Sequence, residues 1–280
     1  MNTRLLVLDF DGTLTDAEIE GKPYRQGYLE DLSTLCGAPL DEISDLAAKI
    51  ETEVVANPNK HGWIYQDDIV APAMVDPYLR MMPIAEGVFD HYHLFSTPDE
   101  RQRIEGLLYK YNYQKTTNAF RPGTRELLLQ FKACNTYVVT NSHTDPVRGK
   151  IGDLEKEPGE LAWLQQRVFG RAKKYMIDRT LEAVPASIQL EGLTRPVLLQ
   201  RGYYYGVLKR LLDESGLDFS QLVVVGDIFE LDLALPLALG ARVGLMVNQF
   251  TPKYEISYLK NHERGHLVHH IEEIPPLLNY

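Results

Sequence analysis

The run Leu5-Leu6-Val7-Leu8-Asp9-Phe10-Asp11-Gly12-Thr13-Leu14-Thr15-Asp16 decides how the rest of the chain is read. Its first four residues, all apolar, predict a strand buried on both faces. The strand stops at two acids one residue apart, Asp9 and Asp11. Side chains at i and i+2 of a strand share a side, so the two carboxylates can converge on one point just beyond its end. Gly12 permits a sharp backbone turn there. Two like charges so close are costly unless a cation neutralises them or one keeps its proton. Taken alone, the run also fits an ordinary strand followed by a common Asp-Gly turn, so the decision rests on what the rest of the chain supplies.

Outward from this run the pattern changes twice. Residues 24–113 show helical periodicity and almost no strand signal: Tyr28, Leu32 and Leu35 fit one apolar face, and Ile43, Leu46, Ala47 and Ile50 another. Residues 57–62 read as a loop. Thr97 is an expected N-cap, with Glu100 as its capping-box partner. After Phe120 the strand logic returns. A helix is expected over 126–132, then a short strand at 137–139 that stops at Thr140-Asn141-Ser142. The segment 143–200 carries no clear periodicity. Beyond it come a helix over 203–214, a strand at 222–225 ending in Gly226-Asp227, a helix over 231–239, a strand at 243–247 and a last strand near 267–270.

Strands that alternate with helices imply right-handed crossovers and a doubly wound parallel sheet, an α/β fold. Such sheets bind ligands at the carboxyl ends of their strands. Three expected strands carry polar groups at those ends: Asp9 and Asp11, Thr140 and Asn141, and Asp227. Three independent strand ends converging is much harder to explain by chance than one acid pair. The expected layout is a Rossmann-like core of 1–15 and 119–280, with a helical insertion over 16–118 suited to covering the site.

Composition excludes several classes. The 280 residues are 44% hydrophobic and 24% charged, which suits a globular protein able to bury one large core or two smaller ones. A formal net charge of −10 argues against broad nucleic-acid or anionic-membrane binding, so an anionic substrate would need local basic groups. The two cysteines, Cys36 and Cys134, make no disulfide framework. No signal peptide and no membrane-length apolar stretch is evident, and a cytoplasmic setting is expected. The oligomeric state leaves no mark in the sequence.

The ordered motifs resemble those of the haloacid dehalogenase-like hydrolase superfamily along the whole chain. Asp9-Phe10-Asp11-Gly12-Thr13 is similar to the family's DxDGT motif, Val138-Val139-Thr140 to its apolar strand ending in Thr or Ser, and Gly226-Asp227 with Asp232 to its GDxxxxD motif. The insertion after the first motif resembles the family's helical cap. The resemblance implies an Mg2+-dependent phosphatase for a small phosphorylated metabolite. In it Asp9 attacks phosphorus to form an aspartyl-phosphate, and Asp11 moves the protons. It further implies Asp9, Asp227 and the Asp11 carbonyl as magnesium ligands, with Asp232 acting through water or orienting Asp227. Asp232 also fits a plain first-turn acid of a helix, as does Glu230. Thr140 and the Asn141 amide would hold phosphate oxygens.

The family's third motif is a Lys, less often an Arg, some two dozen residues before the motif-four Asp. Arg201 falls at that distance and can bind phosphate in bidentate fashion, so it is placed ahead of Lys209; Lys173 and Lys174 are further candidates. Two tyrosine clusters, Tyr109, Tyr111 and Tyr113, and Tyr203, Tyr204 and Tyr205, fit amphipathic packing better than ligand binding. His262, His266, His269 and His270 match no metal-ligand spacing. Trp63, Tyr65 and Asp67 are candidates to face the site. The resemblance disfavours dehalogenation, whose branch needs no acid at the position of Asp11. A phosphotransferase of the sugar-phosphate mutase kind and a non-catalytic binding protein on the same fold are the competing readings.

Overall fold

Strand β1 (Leu5–Leu8) lies inside the sheet of this computed structural model, which describes residues 4–279. It pairs in parallel with β2 (Asn135–Val139) on one side and with β4 (Leu222–Gly226) on the other, Leu8 standing opposite both Val138 and Val225. Outside β2 lies β3 (Val168–Phe169). Outside β4 lie β5 (Arg242–Met246) and then β6 (Gly265–Val268), all parallel. The order β6-β5-β4-β1-β2-β3 reverses direction beside β1, and doubly wound sheets open their ligand crevice at such a point. The expected α/β doubly wound sheet is the fold observed.

Alternation along β1 explains why its residues had to be uniformly apolar. Leu5 and Val7 join a core with Tyr204, Leu208 and Leu211 of the helix Gly202–Ser215. Leu6 and Leu8 face the opposite core, with Leu127, Val147 and Ile151 from the helices Thr124–Gln130 and Thr144–Asp153. A strand with helices on both faces has no solvent side to mark with polar residues.

The chain divides into two units: Met1–Asp16 with Tyr65–Ala71 and Phe120–Tyr280, and Ala17–Ile64 with Pro72–Ala119. The second unit contains the helices Lys22–Cys36, Leu40–Ala56, Pro77–Tyr92 and Pro98–Tyr113. Its own core is built on Tyr24, Tyr28, Leu32, Ile43, Ala47, Ile84, Val88 and Phe89. Thr97 and Glu100 form the expected reciprocal cap. Leu35, expected on the buried face, is 38% exposed.

Two expectations need correction. The insertion is not purely helical: Gly62–Tyr65 and Asp68–Pro72 form a two-stranded hairpin, and Tyr65–Ala71 belong to the sheet-containing unit. Gln66 and Asp67 take the left-handed conformation (φ 50° and 67°) that a tight hairpin turn requires. Fully buried Val70 and Ala71 anchor the returning strand. The helix expected over 231–239 begins instead as a widened π-helical turn, Phe229–Leu233, before the helix Ala234–Ala238. The unread segment 143–200 supplies the helix Thr144–Asp153, strand β3 and a small antiparallel hairpin, Ser187–Ile188 with Val197–Leu198. Among the described residues no helix is long and apolar enough to cross a membrane.

Glu230, expected as a helix-start acid, lies in the first turn of the π-helical segment, where it is fully buried and bound by both Nη atoms of Arg195, at 2.8 and 2.6 Å. Nearby Glu255 is also fully buried. Burial, reinforced by the charge of Glu230, holds the Glu255 carboxyl well above its usual range, with Arg195 pulling only partly against it. A carboxyl whose proton is held more tightly in the folded state contributes stability that is full below its unfolded pKa and lost as pH rises through the folded one. Glu255→Gln is therefore expected to raise the thermal midpoint at about pH 8 while changing it little at about pH 5. Parallel shifts at both pH values would contradict this reading.

Candidate active site

The first acid is placed by the sheet itself. The Asp9 N–H donates to the Val225 carbonyl at 2.8 Å, extending the β1–β4 ladder by one residue and leaving the side chain at the ladder's end. The Thr13 hydroxyl donates to Asp9 Oδ2 at 3.3 Å. Gly12 follows with φ +80°, and a Cβ built on it would lie 2.0 Å from Asp227 Oδ2. A side chain there would collide with that carboxylate, so glycine is required by approach as well as by conformation. Gly226 is held the same way, since its Cβ would lie 2.4 Å from that of Asp232.

Asp9, Asp227 and Asp232 are all buried, and each can present an oxygen within 4.8 Å of the others. Lys174 offsets part of this charge. Its Nζ, 1% exposed, donates to Asp9 Oδ1 and to Asp232 Oδ1, each at 2.7 Å, and lies 5.4 Å from the centre of the Tyr204 ring. Burial alone would lower the Lys174 pKa, but the Asp232 and Asp9 carboxylates hold the ammonium above the usual lysine range. Burial pushes Asp9 up to about 7; Lys174 pulls against that shift, and Asp232 and Asp11 add to it. The clustered carboxylate oxygens of Asp9, Asp227 and Asp232 are a hard donor set that fits a divalent cation such as Mg2+.

The loop that delivers Lys174 is held from several sides. Arg171 and Lys173 both adopt left-handed backbone (φ 53° and 46°), which is uncommon for residues with side chains. Asn141 Oδ1 accepts the Lys174 N–H at 2.8 Å, and Arg201 Nη1 donates to the Lys174 carbonyl at 2.7 Å. Asp232 is engaged through both oxygens, since Oδ2 accepts the Ile228 N–H at 3.0 Å. Tyr204 donates its hydroxyl to the Asp232 carbonyl at 3.0 Å. Asp232 is therefore better placed to hold Lys174 and the π-helical turn than to ligate a cation directly.

Several expected residues lie elsewhere. Arg201, expected to neutralise the nucleophile, is fully buried and gives its Nη atoms to the carbonyls of Lys174 and Val70. Lys174 takes the position expected of Arg201. Lys209, the alternative, is exposed and pairs with Asp213 on its own helix. The physical reason is the length of the connection: residues 175–200, with their small hairpin, lie between Lys174 and the helix that follows Arg201. Thr140 is buried at the end of β2, its Oγ1 accepting the Ser142 N–H at 3.1 Å. Tyr204 is buried, whereas Tyr203, Tyr109, Tyr111 and Tyr113 are exposed. Tyr65 packs edge-on against Tyr175.

Two residues that the sequence did not single out complete the surroundings of Asp11. Ser142 Oγ donates to Asp11 Oδ2 at 2.6 Å, and Lys150 Nζ lies 3.5 Å from Oδ1. Ser142 directly follows the Thr140-Asn141 strand end, which was the available signal. Lys150 lies further along the next helix, where nothing in sequence marks it.

No family model matches the sequence, and no curated protein does. Solved structures do match over nearly the whole chain. A predicted phosphoglycolate phosphatase from Haemophilus somnus is 14% identical, with 99% of this chain and 98% of that chain covered and a TM-score of 0.51. YfnB from Bacillus subtilis, described as a HAD-hydrolase by assignment and solved bound to magnesium, is 14% identical, with 99% of each chain covered and a TM-score of 0.54. A haloacid dehalogenase-like protein of unknown function from Agrobacterium tumefaciens is 14% identical, with 99% and 97% covered and a TM-score of 0.53. The chain has the haloacid dehalogenase-like fold.

The Lys174 arrangement makes a stability prediction. Lys174→Met is expected to destabilise the fold by about 3 kcal/mol in chelator, because it strands two buried carboxylates. Adding Asp232→Asn to that variant should restore a measurable part of the loss, since the two sites share one interaction. Chemical denaturation of the four proteins in the cycle checks both; strictly additive losses would contradict the direct pairing.

Proposed function

We propose that the protein is an Mg2+-dependent phosphatase that hydrolyses a small phosphorylated metabolite through an aspartyl-phosphate on Asp9. The observation that carries this reading is the buried Lys174 ammonium against Asp9, beside Asp227 and at the carboxyl end of a doubly wound sheet. A general acid–base role needs a carboxylate with some access to solvent, and the side chain of Asp11 is 33% exposed. The fold similarity to a predicted phosphatase and to a magnesium-bound protein supports the class and the metal.

The chemistry proceeds in two displacements. In the first, an Asp9 carboxylate oxygen attacks phosphorus; the Asp9–phosphorus bond forms as the bond to the leaving oxygen breaks, and Asp11 gives its proton to that oxygen. In the second, Asp11 takes a proton from water as the water oxygen attacks phosphorus, which releases phosphate and returns Asp9 to its starting state. Lys174 favours the ionised form of Asp9 for attack and then faces the phosphoryl group. The Thr140 hydroxyl and the Asn141 amide hold phosphoryl oxygens. Asp9, Asp227 and the Asp11 carbonyl are the groups that would hold magnesium, which when bound supplies positive charge to offset that of the phosphate and the acids. A cytoplasmic setting is part of this reading and accords with Cys36 and Cys134 forming no disulfide among the described residues.

Asp9→Asn is expected to abolish magnesium-dependent hydrolysis of para-nitrophenyl phosphate while leaving the circular-dichroism spectrum unchanged. Retained activity in that variant would remove Asp9 as nucleophile. Lys174→Ala is expected to lower kcat by about a thousandfold, and Lys209→Ala to leave it unchanged. Equal losses in the two lysine variants would contradict the assignment of the buried one.

A further inference from the structure

The proton-transfer carboxylate of this site is held at both of its oxygens, by residues outside the motifs that identify the site. Ser142 is itself fixed by its main chain: its N–H donates to Thr140 Oγ1 at 3.1 Å, and its carbonyl accepts the Arg171 N–H at 2.7 Å. Its hydroxyl thus approaches Asp11 Oδ2, at 2.6 Å, from a rigid point. On the other side Lys150, from the helix Thr144–Asp153, reaches Asp11 Oδ1 at 3.5 Å. Its ammonium lies 5.7 Å from the centre of the Phe10 ring. Phe10 is fully buried and packs edge-on against Phe120, so the surface that carries the ammonium is also rigid.

We propose that Ser142 and Lys150 are positioning residues for proton transfer by Asp11; this rests on the phosphatase reading above. A group that first gives a proton and later takes one must occupy the same place in both forms. The Ser142 hydroxyl can donate to Oδ2 both when Asp11 is a carboxylate and when its proton sits on the other oxygen, so Ser142 can hold Asp11 in either form while the proton stays free for transfer. Lys150 only donates, and it fixes the second oxygen by charge. Proton transfer depends on reach within a few tenths of an ångström, so loss of either anchor acts on the transfer step before it acts on binding.

Leaving-group chemistry separates this role from a merely structural one. Para-nitrophenolate departs without a proton, whereas an alkoxide needs one. The parameter kcat/KM reports the steps up to leaving-group departure, and kcat also includes the later attack by water. Ser142→Ala is expected to lower kcat/KM for glycerol phosphate by about a hundredfold. For para-nitrophenyl phosphate its kcat/KM should stay nearly constant while its kcat falls. Ser142→Thr should restore the alkyl substrate, and Lys150→Met should reproduce the pattern of Ser142→Ala at about a tenfold loss.

Equal losses in kcat/KM for both substrates, or no loss for either, would overturn the inference while leaving the phosphatase reading in place. Absence of turnover of both substrates by the parent protein would overturn the phosphatase reading and this inference with it.

Discussion

The ammonium of Lys174, buried 2.7 Å from both Asp9 and Asp232, is the interaction on which the rest of the site depends. A charge removed from water is tolerated only where partners replace its hydration. Each neighbouring element contributes to that replacement. Asn141 and Arg201 fix the main chain of Lys174 from its two sides, and Tyr204 lies beneath its Nζ and binds the Asp232 carbonyl. The residue before it, Lys173, takes a left-handed backbone conformation. Lys174 pairs with two of the three clustered carboxylates, Asp9 and Asp232, and with Asp227 these offer a hard-oxygen set that suits a divalent cation.

Much of the fold was legible in the sequence because buried parallel strands leave a plain signature. Leu5–Leu8 and Leu222–Gly226 are apolar throughout and end in functional groups at the sheet's carboxyl edge. The DxDGT and GD spacings also carry steric meaning, since Gly12 and Gly226 stand where side chains would strike Asp227 and Asp232. Those residues were readable from their types alone.

Lys174 was not readable in the same way, because its identification depended on distance along the chain. The intervening segment 175–200 moved Arg201 to the distance expected of the neutralising residue, yet Arg201 donates to main-chain carbonyls instead. Spacing is a proxy for position only while the connecting loop keeps its length. The hairpin of Gly62–Tyr65 and Asp68–Pro72 was missed for a different reason: its strands are short and interrupt a long helical pattern. The π-helical turn at Phe229–Leu233 is bridged by a local side-chain bond, from the Ile228 N–H to Asp232 Oδ2, that periodicity does not encode.

A shared fold at 14% identity constrains architecture and leaves the chemistry to individual side chains. The division of labour assigned to Asp9 and Asp11 is therefore the central claim, and covalent trapping tests it most directly. The protein is mixed with magnesium and excess para-nitrophenyl phosphate, quenched in acid during turnover, digested and examined by mass spectrometry. The expected result is one phosphoryl group on the peptide that contains Asp9, accumulating further in Asp11→Asn, where hydrolysis of the intermediate is slowed. A phosphoryl group on any other residue, or turnover with no adduct in either protein, would contradict the assignment of Asp9 as nucleophile.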